Sequence, residues 1–132
     1  IGLAILMAFR AKSKYASSLG KTCIVPSLFN INEPVIFGTP IVLNPIMAIP
    51  FVIANITMAI VTYASTYIGL VPVSIGVEVP WTTPPIIFGF LATGASIFGA
   101  ITQAILIVVS IVIYTPFLIS YEKYQNKQAA NI

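Results

Sequence analysis

The sequence is short of charged residues, and this shortage decides the class of protein. It has 6 lysines or arginines and 3 acidic residues in 132 positions, so that 7% of the chain is charged while 58% is hydrophobic. A soluble domain carries about 25% charged residues, and this chain cannot cover its apolar surface with a solvated one. The mean hydropathy of +1.03 agrees. We therefore predict an integral membrane protein.

Histidine is absent and cysteine occurs once. Without histidine these residues cannot form a His-based metal site or catalytic triad, and the single Cys23 cannot form an internal disulfide. Phosphate-binding glycine loops, zinc-ligand spacings and serine-nucleophile motifs are missing as well. We expect no metal and no cofactor in this chain.

The few basic residues lie near the two ends of the chain, at Arg10, Lys12, Lys14, Lys21, Lys123 and Lys127. This is not the distribution of a nucleic-acid-binding surface, so no nucleic-acid partner is expected. Lysine and arginine next to apolar spans mark the cytoplasmic side of a membrane. Both ends of the chain are therefore predicted to lie in the cytoplasm.

The first nine residues, "IGLAILMAF", are apolar. A bilayer crossing needs about 20 apolar residues, so this run is too short to span. We interpret it as the last turns of a preceding span, with a short interfacial helix as the alternative. The stretch Arg10–Lys21 is predicted to be a cytoplasmic loop. Residues 1–25 thus form a unit distinct from residues 26–132.

Two uncharged runs are long enough to cross a membrane. They are Ile46–Leu70, of 25 residues, and Ala95–Ser120, of 26 residues. Both exceed the roughly 20 residues that a spanning helix needs. The polar tail that follows, Tyr121–Ile132, is predicted to be frayed cytoplasmic chain.

Proline and glycine interrupt two further apolar stretches, Pro26–Pro45 and Pro80–Gly94. Proline removes a backbone donor and disrupts a continuous helix, and broken backbone at membrane depth occurs only where protein or a water-filled cavity surrounds it. We interpret both stretches as re-entrant hairpins. The fold prediction is an all-α membrane protein with two transmembrane helices and two re-entrant hairpins in an inverted arrangement, part of a larger multi-span transporter.

A short repeat accompanies the two interrupted stretches. "PVIFG" at 34–38 and "PIIFG" at 85–89 share four of five residues. The match is weak in so apolar a chain, where chance also produces it. Interrupted apolar segments at corresponding positions of two repeats are nevertheless the best sequence sign of a transporter's binding site.

Glu33 is the first candidate functional residue. An acid at membrane depth costs several kcal/mol unless it faces a cavity or a partner. Asn30, Asn32 and Asn44 lie near it in the sequence. A carboxylate that accepts hydroxyl hydrogens, beside amides that donate and accept, suits a polyhydroxylated ligand. The alternative is that these residues cap half-helices and satisfy backbone groups.

The second interrupted stretch offers Trp81, the only tryptophan, followed by Thr82 and Thr83. The indole ring suits stacking on the apolar face of a sugar, or a place in the aromatic belt at the membrane interface. Thr82 is a candidate ligand contact, with helix capping as the alternative. Glu78 is expected to be solvated in an outer loop, and Gln103 to bond between helices.

Two stretches resemble a known family. "NINEPVIFGTPIVLNPIMAIPF" is similar to the signature of the sugar-transporting IIC subunits of the bacterial phosphotransferase system, in the lactose/cellobiose/chitobiose (diglycoside) branch, and "VPWTTPPIIFGFLATG" resembles a second stretch of that branch. The resemblance implies a C-terminal third of such a subunit, with residues 26–132 as its sugar-binding and transport segment. It also implies a homodimer in the lipid of the bacterial cytoplasmic (inner) membrane.

The resemblance further implies a role for each site residue. Glu33 would bind sugar hydroxyls, and Asn32 and Trp81 would line the pocket of a disaccharide. The sugar is phosphorylated at its C6 hydroxyl by a phosphocysteine of the soluble IIB subunit, which IIA serves in turn. The family also uses a histidine that this chain does not contain. The chain has no apparent phosphorylated residue of its own, so whether it is an enzyme stays undecided.

Our candidates are therefore Asn30, Asn32, Glu33, Trp81 and Thr82 for substrate binding, with Glu33 also as a candidate catalytic base. Base catalysis is a separate hypothesis, since it requires Glu33 within about 3 Å of the reacting hydroxyl. The alternative function is a proton- or sodium-coupled transporter in which Glu33 is the coupling carboxylate. A membrane scaffold that transports nothing is a third hypothesis.

Overall fold

The computed structural model describes residues 1–39 and 41–130, and within these ranges the regular structure is helical. The helices are α1 (Gly2–Arg10), α2 (Lys14–Leu28), α3 (Glu33–Gly38), a 3₁₀ helix (Ile41–Leu43), α4 (Pro45–Tyr67), α5 (Pro85–Ala92) and α6 (Ile97–Ala130). The described part of the chain thereby confirms the all-α prediction. Two of its helices, α4 and α6, are long and apolar enough to cross a membrane.

Helix α4 begins where the sequence provides a cap. The side chain of Asn44 accepts a hydrogen bond of 3.0 Å from the backbone N–H of Ile46. Pro45, at the start of the helix, needs no backbone donor there and has its φ already fixed near the helical value. The predicted span Ile46–Leu70 is thus observed as the helix Pro45–Tyr67.

The outer face of α4 is apolar and exposed, with Ile49, Val52, Ile56, Ile60 and Tyr63 along it. Of the 18 most apolar consecutive residues in each helix, 17% are buried in α4 and 22% in α6. The core helix of a soluble protein is mostly buried, so these two helices need lipid or further helices around them. This exposure agrees with a membrane protein.

Helix α6 extends beyond the predicted span Ala95–Ser120. Its 34 residues correspond to a length of about 51 Å, whereas the hydrocarbon core of a bilayer measures about 30 Å. The prediction of a frayed tail from Tyr121 is therefore wrong as far as Ala130, and residues 131–132 lie outside the described ranges. A tertiary contact explains the longer helix. The Glu122 side chain on this extension is 7% exposed and accepts hydrogen bonds from the backbone N–H groups of Lys12 and Ser13.

The predicted loop Arg10–Lys21 is also wrong, because α2 begins at Lys14. The side chain of Ser13 caps the helix by accepting from the N–H of Ala16. The buried residues Ala16, Gly20, Cys23 and Ser27 recur at helical spacing. Lys14 and Lys21 lie on the opposite, exposed face of α2, and the exposed Lys12 precedes the helix.

Packing of α1 against α2 requires a residue without a side chain at Gly20. A Cβ there would come within 2.7 Å of the Met7 carbonyl carbon, closer than two carbon atoms pack. Helix α1 also packs on α6, which contacts α4 and α5 in turn. The residues of α1 are mostly buried, so the helix belongs to this core.

The two proline-rich stretches are interrupted as predicted. In the first, α2 ends at Leu28, and the short α3 and the 3₁₀ helix precede α4; Pro40 lies outside the described residues. In the second, residues 69–84 hold no helix, and α5 then precedes α6. A short helix followed by a long apolar helix thus occurs twice. Their course relative to the bilayer, re-entrant and inverted, stays a prediction.

Candidate functional site

The candidate site starts at the break between α2 and α3. The N–H of Asn30 donates to the carbonyl of Ser27, at 3.2 Å, and the N–H of Ile31 donates to that of Pro26, at 3.1 Å. Asn30 has a positive φ of 62°. This is the Schellman ending of an α-helix, in which the residue after the cap adopts the left-handed conformation. Asparagine is one of the few side chains that tolerate it.

The side chain of Asn30 reaches the second proline-rich stretch. Its Nδ2 donates 2.7 Å to the carbonyl of Trp81 and 2.9 Å to the carbonyl of Thr83. The backbone carbonyl of Asn30 accepts a hydrogen bond of 3.2 Å from Nδ2 of Asn32. Hydrogen bonds thereby bring together two parts of the chain that the sequence had separated by 51 and 53 residues.

Glu33 is the first residue of α3, directly after Asn32. Pro34 follows it in the first turn, where its missing N–H costs nothing. The carbonyl of Asn32 accepts from the N–H groups of Val35 and Ile36, which fixes the start of the helix. The Glu33 side chain is exposed, and the described residues give its carboxylate no hydrogen-bond partner. It is therefore free to accept bonds from a ligand.

Trp81 and Thr82 lie in a turn closed by a 2.9 Å bond from the N–H of Thr83 to the carbonyl of Pro80. The Trp81 side chain is 67% exposed, so the indole ring has an open face. Thr82 is half-buried. The helix that follows, α5, has no side-chain cap, so the capping alternative for the threonines does not describe this turn.

Asn32 also lines a cavity of about 290 Å³. Its polar lining includes Asn32, Asn55, Ser110 and Tyr114. Glu33, Asn30 and Trp81 do not line this cavity. The structure therefore brings Asn30 to the Trp81–Thr83 turn and places Asn32 between that contact and the cavity.

Sequence reasoning passed over two of these features. Asn55 is a polar residue within the apolar span of α4, and its amide donates a hydrogen bond of 2.8 Å to the carbonyl of Phe51, one turn earlier. This local pattern does not indicate a cavity. The backbone carbonyls of Trp81 and Thr83 have no sequence signature as acceptors. Both features depend on which helices meet.

The remaining candidates lie elsewhere. Glu78 is exposed, as expected of an outer loop. It lines, with Thr102 and Gln103, a cavity of about 480 Å³ between the end of α4, the 71–79 loop, α5 and α6. Cys23 is buried in the core, away from the residues described above.

The chain is similar to known sugar permeases. The sequence model of one family, "Phosphotransferase system, EIIC", matches residues 1–55. The lichenan permease IIC component of Bacillus subtilis (strain 168) is 46% identical over 128 residues, which cover 97% of this chain and 28% of that protein. The cellobiose-specific EIIC component of Geobacillus stearothermophilus is 46% identical over 123 residues, covering 93% of this chain and 27% of that protein.

A solved structure has the same fold. The transporter ChbC, the IIC component of the N,N'-diacetylchitobiose-specific phosphotransferase system, superposes with a TM-score of 0.92 at 40% identity, over 98% of this chain and 30% of that one. The chain spans less than a third of the length of each of these three proteins. The helices, the two interrupted segments and these similarities together establish that the chain belongs to the EIIC family of the phosphotransferase system.

Proposed function

We propose that the protein to which this chain contributes is the membrane permease of a phosphoenolpyruvate-dependent sugar phosphotransferase system. It binds a disaccharide of the cellobiose, chitobiose or lactose class and carries it inward for phosphorylation by its IIB partner. The names of similar proteins, which include cellobiose, lactose and N,N'-diacetylchitobiose permeases, support this class of substrate. The chain supplies a C-terminal part of that protein.

One observation carries the proposal: the Asn30 side chain bonds to the turn that carries Trp81, three residues before the free acid Glu33. A disaccharide presents hydroxyls at its edges and apolar C–H groups on its faces. The Glu33 carboxylate accepts the hydroxyl hydrogens in charge-assisted bonds. The Trp81 ring stacks on an apolar face. Asn32 and Thr82 add amide and hydroxyl groups.

The chemistry of phosphorylation involves a partner. The C6 oxygen of the sugar forms a bond to the phosphorus of the IIB phosphocysteine while the sulfur–phosphorus bond breaks, and IIA recharges IIB. Glu33 acts as the base that takes the C6 hydroxyl proton, which requires its oxygen within about 3 Å of that hydroxyl. A sugar-bound structure with Glu33 on another side of the ring would contradict this role while leaving the binding role intact.

The membrane arrangement is part of the proposal. The two interrupted segments enter as re-entrant hairpins from opposite sides and meet near the middle of the bilayer. The whole protein crosses the bacterial cytoplasmic membrane several times and forms a homodimer in it. The exposed apolar faces of α4 and α6 support contact with lipid or with further helices.

The test uses the full-length protein in vesicles with radiolabelled cellobiose, chitobiose and lactose. We expect one of these sugars to accumulate as its phosphate, and only when phosphorylated IIB is present on the cytoplasmic side. Accumulation of free sugar that depends on a proton or sodium gradient would instead support the cation-coupled alternative, which the EIIC relatives do not favour. Binding of none of the three sugars would contradict the proposed substrate class.

A further inference from the structure

We propose that Asn30 is a positioning residue, which holds the Trp81–Thr83 turn against the break between α2 and α3 and so sets the place of Trp81 relative to Glu33. We name the two hydrogen bonds from Asn30 Nδ2 to the carbonyls of Trp81 and Thr83 the Asn30 clasp. The clasp itself follows from geometry alone. Its effect on sugar affinity rests on the proposed function.

The clasp uses the whole donor capacity of the Asn30 amide. A side-chain amide has two N–H donors, and here one donates to each carbonyl, at 2.7 Å and 2.9 Å. No donor is left for a sugar hydroxyl while the clasp is closed. If Asn30 contacts the sugar directly, as the sequence predicted, only its Oδ1 atom is available to do so. The amide nitrogen bonds to the carbonyls of Trp81 and Thr83 instead.

The clasp connects elements that otherwise pack on different partners. Helix α5, directly after the turn, packs on α6, while α2 packs on α1 and α3. Among the hydrogen bonds of the described residues, the two of the clasp join the proline-rich segments directly. Without the clasp, no hydrogen bond among the described residues joins the turn directly to the break between α2 and α3.

The backbone at Asn30 explains why asparagine suits this position. The residue must adopt a positive φ, observed at 62°, and must also present two N–H donors. Glycine meets only the first requirement. Aspartate tolerates the same backbone and has nearly the same shape, but its ionised carboxylate has no donor and would face two carbonyl oxygens. The two substitutions therefore separate the backbone requirement from the clasp.

The experiment measures the surroundings of Trp81 and the affinity for sugar in the full-length protein. Any other tryptophans are replaced by phenylalanine, so that fluorescence and its quenching by iodide report on Trp81. The variants are Asn30→Gly and Asn30→Asp. Asn126→Asp is the matched control, since it makes the same amide-to-carboxylate change at an exposed residue of α6.

We expect Asn30→Gly to increase iodide quenching of Trp81 and to weaken sugar binding about tenfold, the equivalent of one or two lost hydrogen bonds. Asn30→Asp should have a larger effect, about a hundredfold, because repulsion is added to the loss. Asn126→Asp should change neither readout. Elution of each variant as a single species in size-exclusion chromatography checks that it is folded.

Two results would overturn the proposal. Unchanged Trp81 quenching in both Asn30 variants would mean that the clasp does not position the turn. Weaker sugar binding with unchanged quenching would mean that Asn30 contacts the sugar directly. Failure of the proposed function has a separate sign: if Glu33→Gln leaves sugar binding unchanged, the site is misassigned, while the quenching result still decides whether the clasp exists.

Discussion

The two copies of the repeated pentapeptide each begin a short helix, but the chain enters these helices in different ways. In α3 the proline is the second residue, after Glu33, and in α5 it is Pro85, the first. Proline is favoured at these positions because the backbone N–H that it lacks would have no partner within the helix there. Only residues 29–32 separate α3 from the end of α2, whereas α5 follows a longer stretch without helix, residues 69–84. The proline of each pentapeptide lies at the start of a helix. The residues that flank the pentapeptide determine which polar or aromatic groups are available to a ligand.

The neighbours differ in what they offer a ligand. The first segment presents the free acid Glu33 beside the amide of Asn32. The second segment, residues 80–94, contains no acid and presents the exposed Trp81 ring. A sugar has both hydroxyls and apolar faces, so a site for it gains from both kinds of surface. Under the proposed function, Glu33 would contact the hydroxyls of the sugar and Trp81 would contact its apolar face.

The largest expected effect is that of Glu33→Gln. The amide keeps the size of the side chain but replaces charge-assisted bonds, worth about 1.5–3 kcal/mol each, by weaker neutral ones. We expect the Kd for the transported disaccharide to rise about a hundredfold. Binding of radiolabelled sugar to the purified full-length protein measures it.

The control for Glu33→Gln is Glu78→Gln, which makes the same change at an exposed acid just before the second segment. It should leave the Kd unchanged. An equal loss of affinity in both variants would remove the proposed asymmetry between the two segments.

The next effect concerns packing, at the glycine that ends each pentapeptide. A Cβ on Gly89 would lie 2.6 Å from the backbone oxygen of Gly99, whereas a Cβ on Gly38 would lie 2.6 Å from the Cδ2 atom of Leu19. A leucine side chain can rotate away, but a backbone oxygen moves only if α5 and α6 separate. Overpacking of this kind costs about 1–3 kcal/mol.

We therefore expect Gly89→Ala to lower the apparent melting temperature of the detergent-solubilised protein, with a cost of about 2 kcal/mol. Gly38→Ala should change it little, because the gain in helix propensity of about 1 kcal/mol offsets the movement of Leu19. A larger loss at Gly38 than at Gly89 would contradict the observed difference in packing.

The same two glycines mark how far the sequence alone could go. The pentapeptides, the prolines and the absence of charge predicted the interrupted segments and both spanning helices, since these depend on local backbone chemistry and hydropathy. Whether a glycine faces a backbone oxygen, as Gly89 does, or a leucine side chain, as Gly38 does, depends on the contacts of α5 with α6 and of α3 with α2. No local pattern encodes such contacts.

The two wrong predictions have a shared cause. The stretch Arg10–Lys21 was interpreted by its lysines, although Ser13 and the small residues at helical spacing indicated a helix. The tail was interpreted by its polarity, although Glu122 on it accepts bonds from the N–H groups of Lys12 and Ser13. The start of α2 and the C-terminal part of α6 are thus joined by hydrogen bonds between residues more than 100 positions apart in the sequence. These tertiary contacts, and not the local composition, determine that both stretches are helical.

A smaller effect is expected for Trp81→Ala. Loss of the ring removes a stacking surface worth about 1.4 kcal/mol, which is about tenfold in Kd. Trp81→Phe, which keeps an aromatic face, should retain most of the affinity. Tyr67→Ala is the control, because this aromatic side chain on α4 is also exposed, at 82%, and lies outside the second segment. Weaker binding in Trp81→Phe than in Trp81→Ala would contradict stacking.

The smallest expected effect is that of Glu122→Gln, which compares the acid of the first segment with an acid outside both. Glu122 Oε1 accepts from the N–H of Lys12 at 2.7 Å and of Ser13 at 2.9 Å. A glutamine oxygen can still accept both bonds, so only the charge assistance is lost, at a cost of about 1 kcal/mol. We expect a slightly lower melting temperature and an unchanged Kd for sugar, the reverse of Glu33→Gln. Glu122 is buried with two hydrogen-bond partners, whereas Glu33 is exposed with none among the described residues. If Glu122→Gln changed the affinity for sugar but not the stability, the roles assigned to the two acids would be wrong.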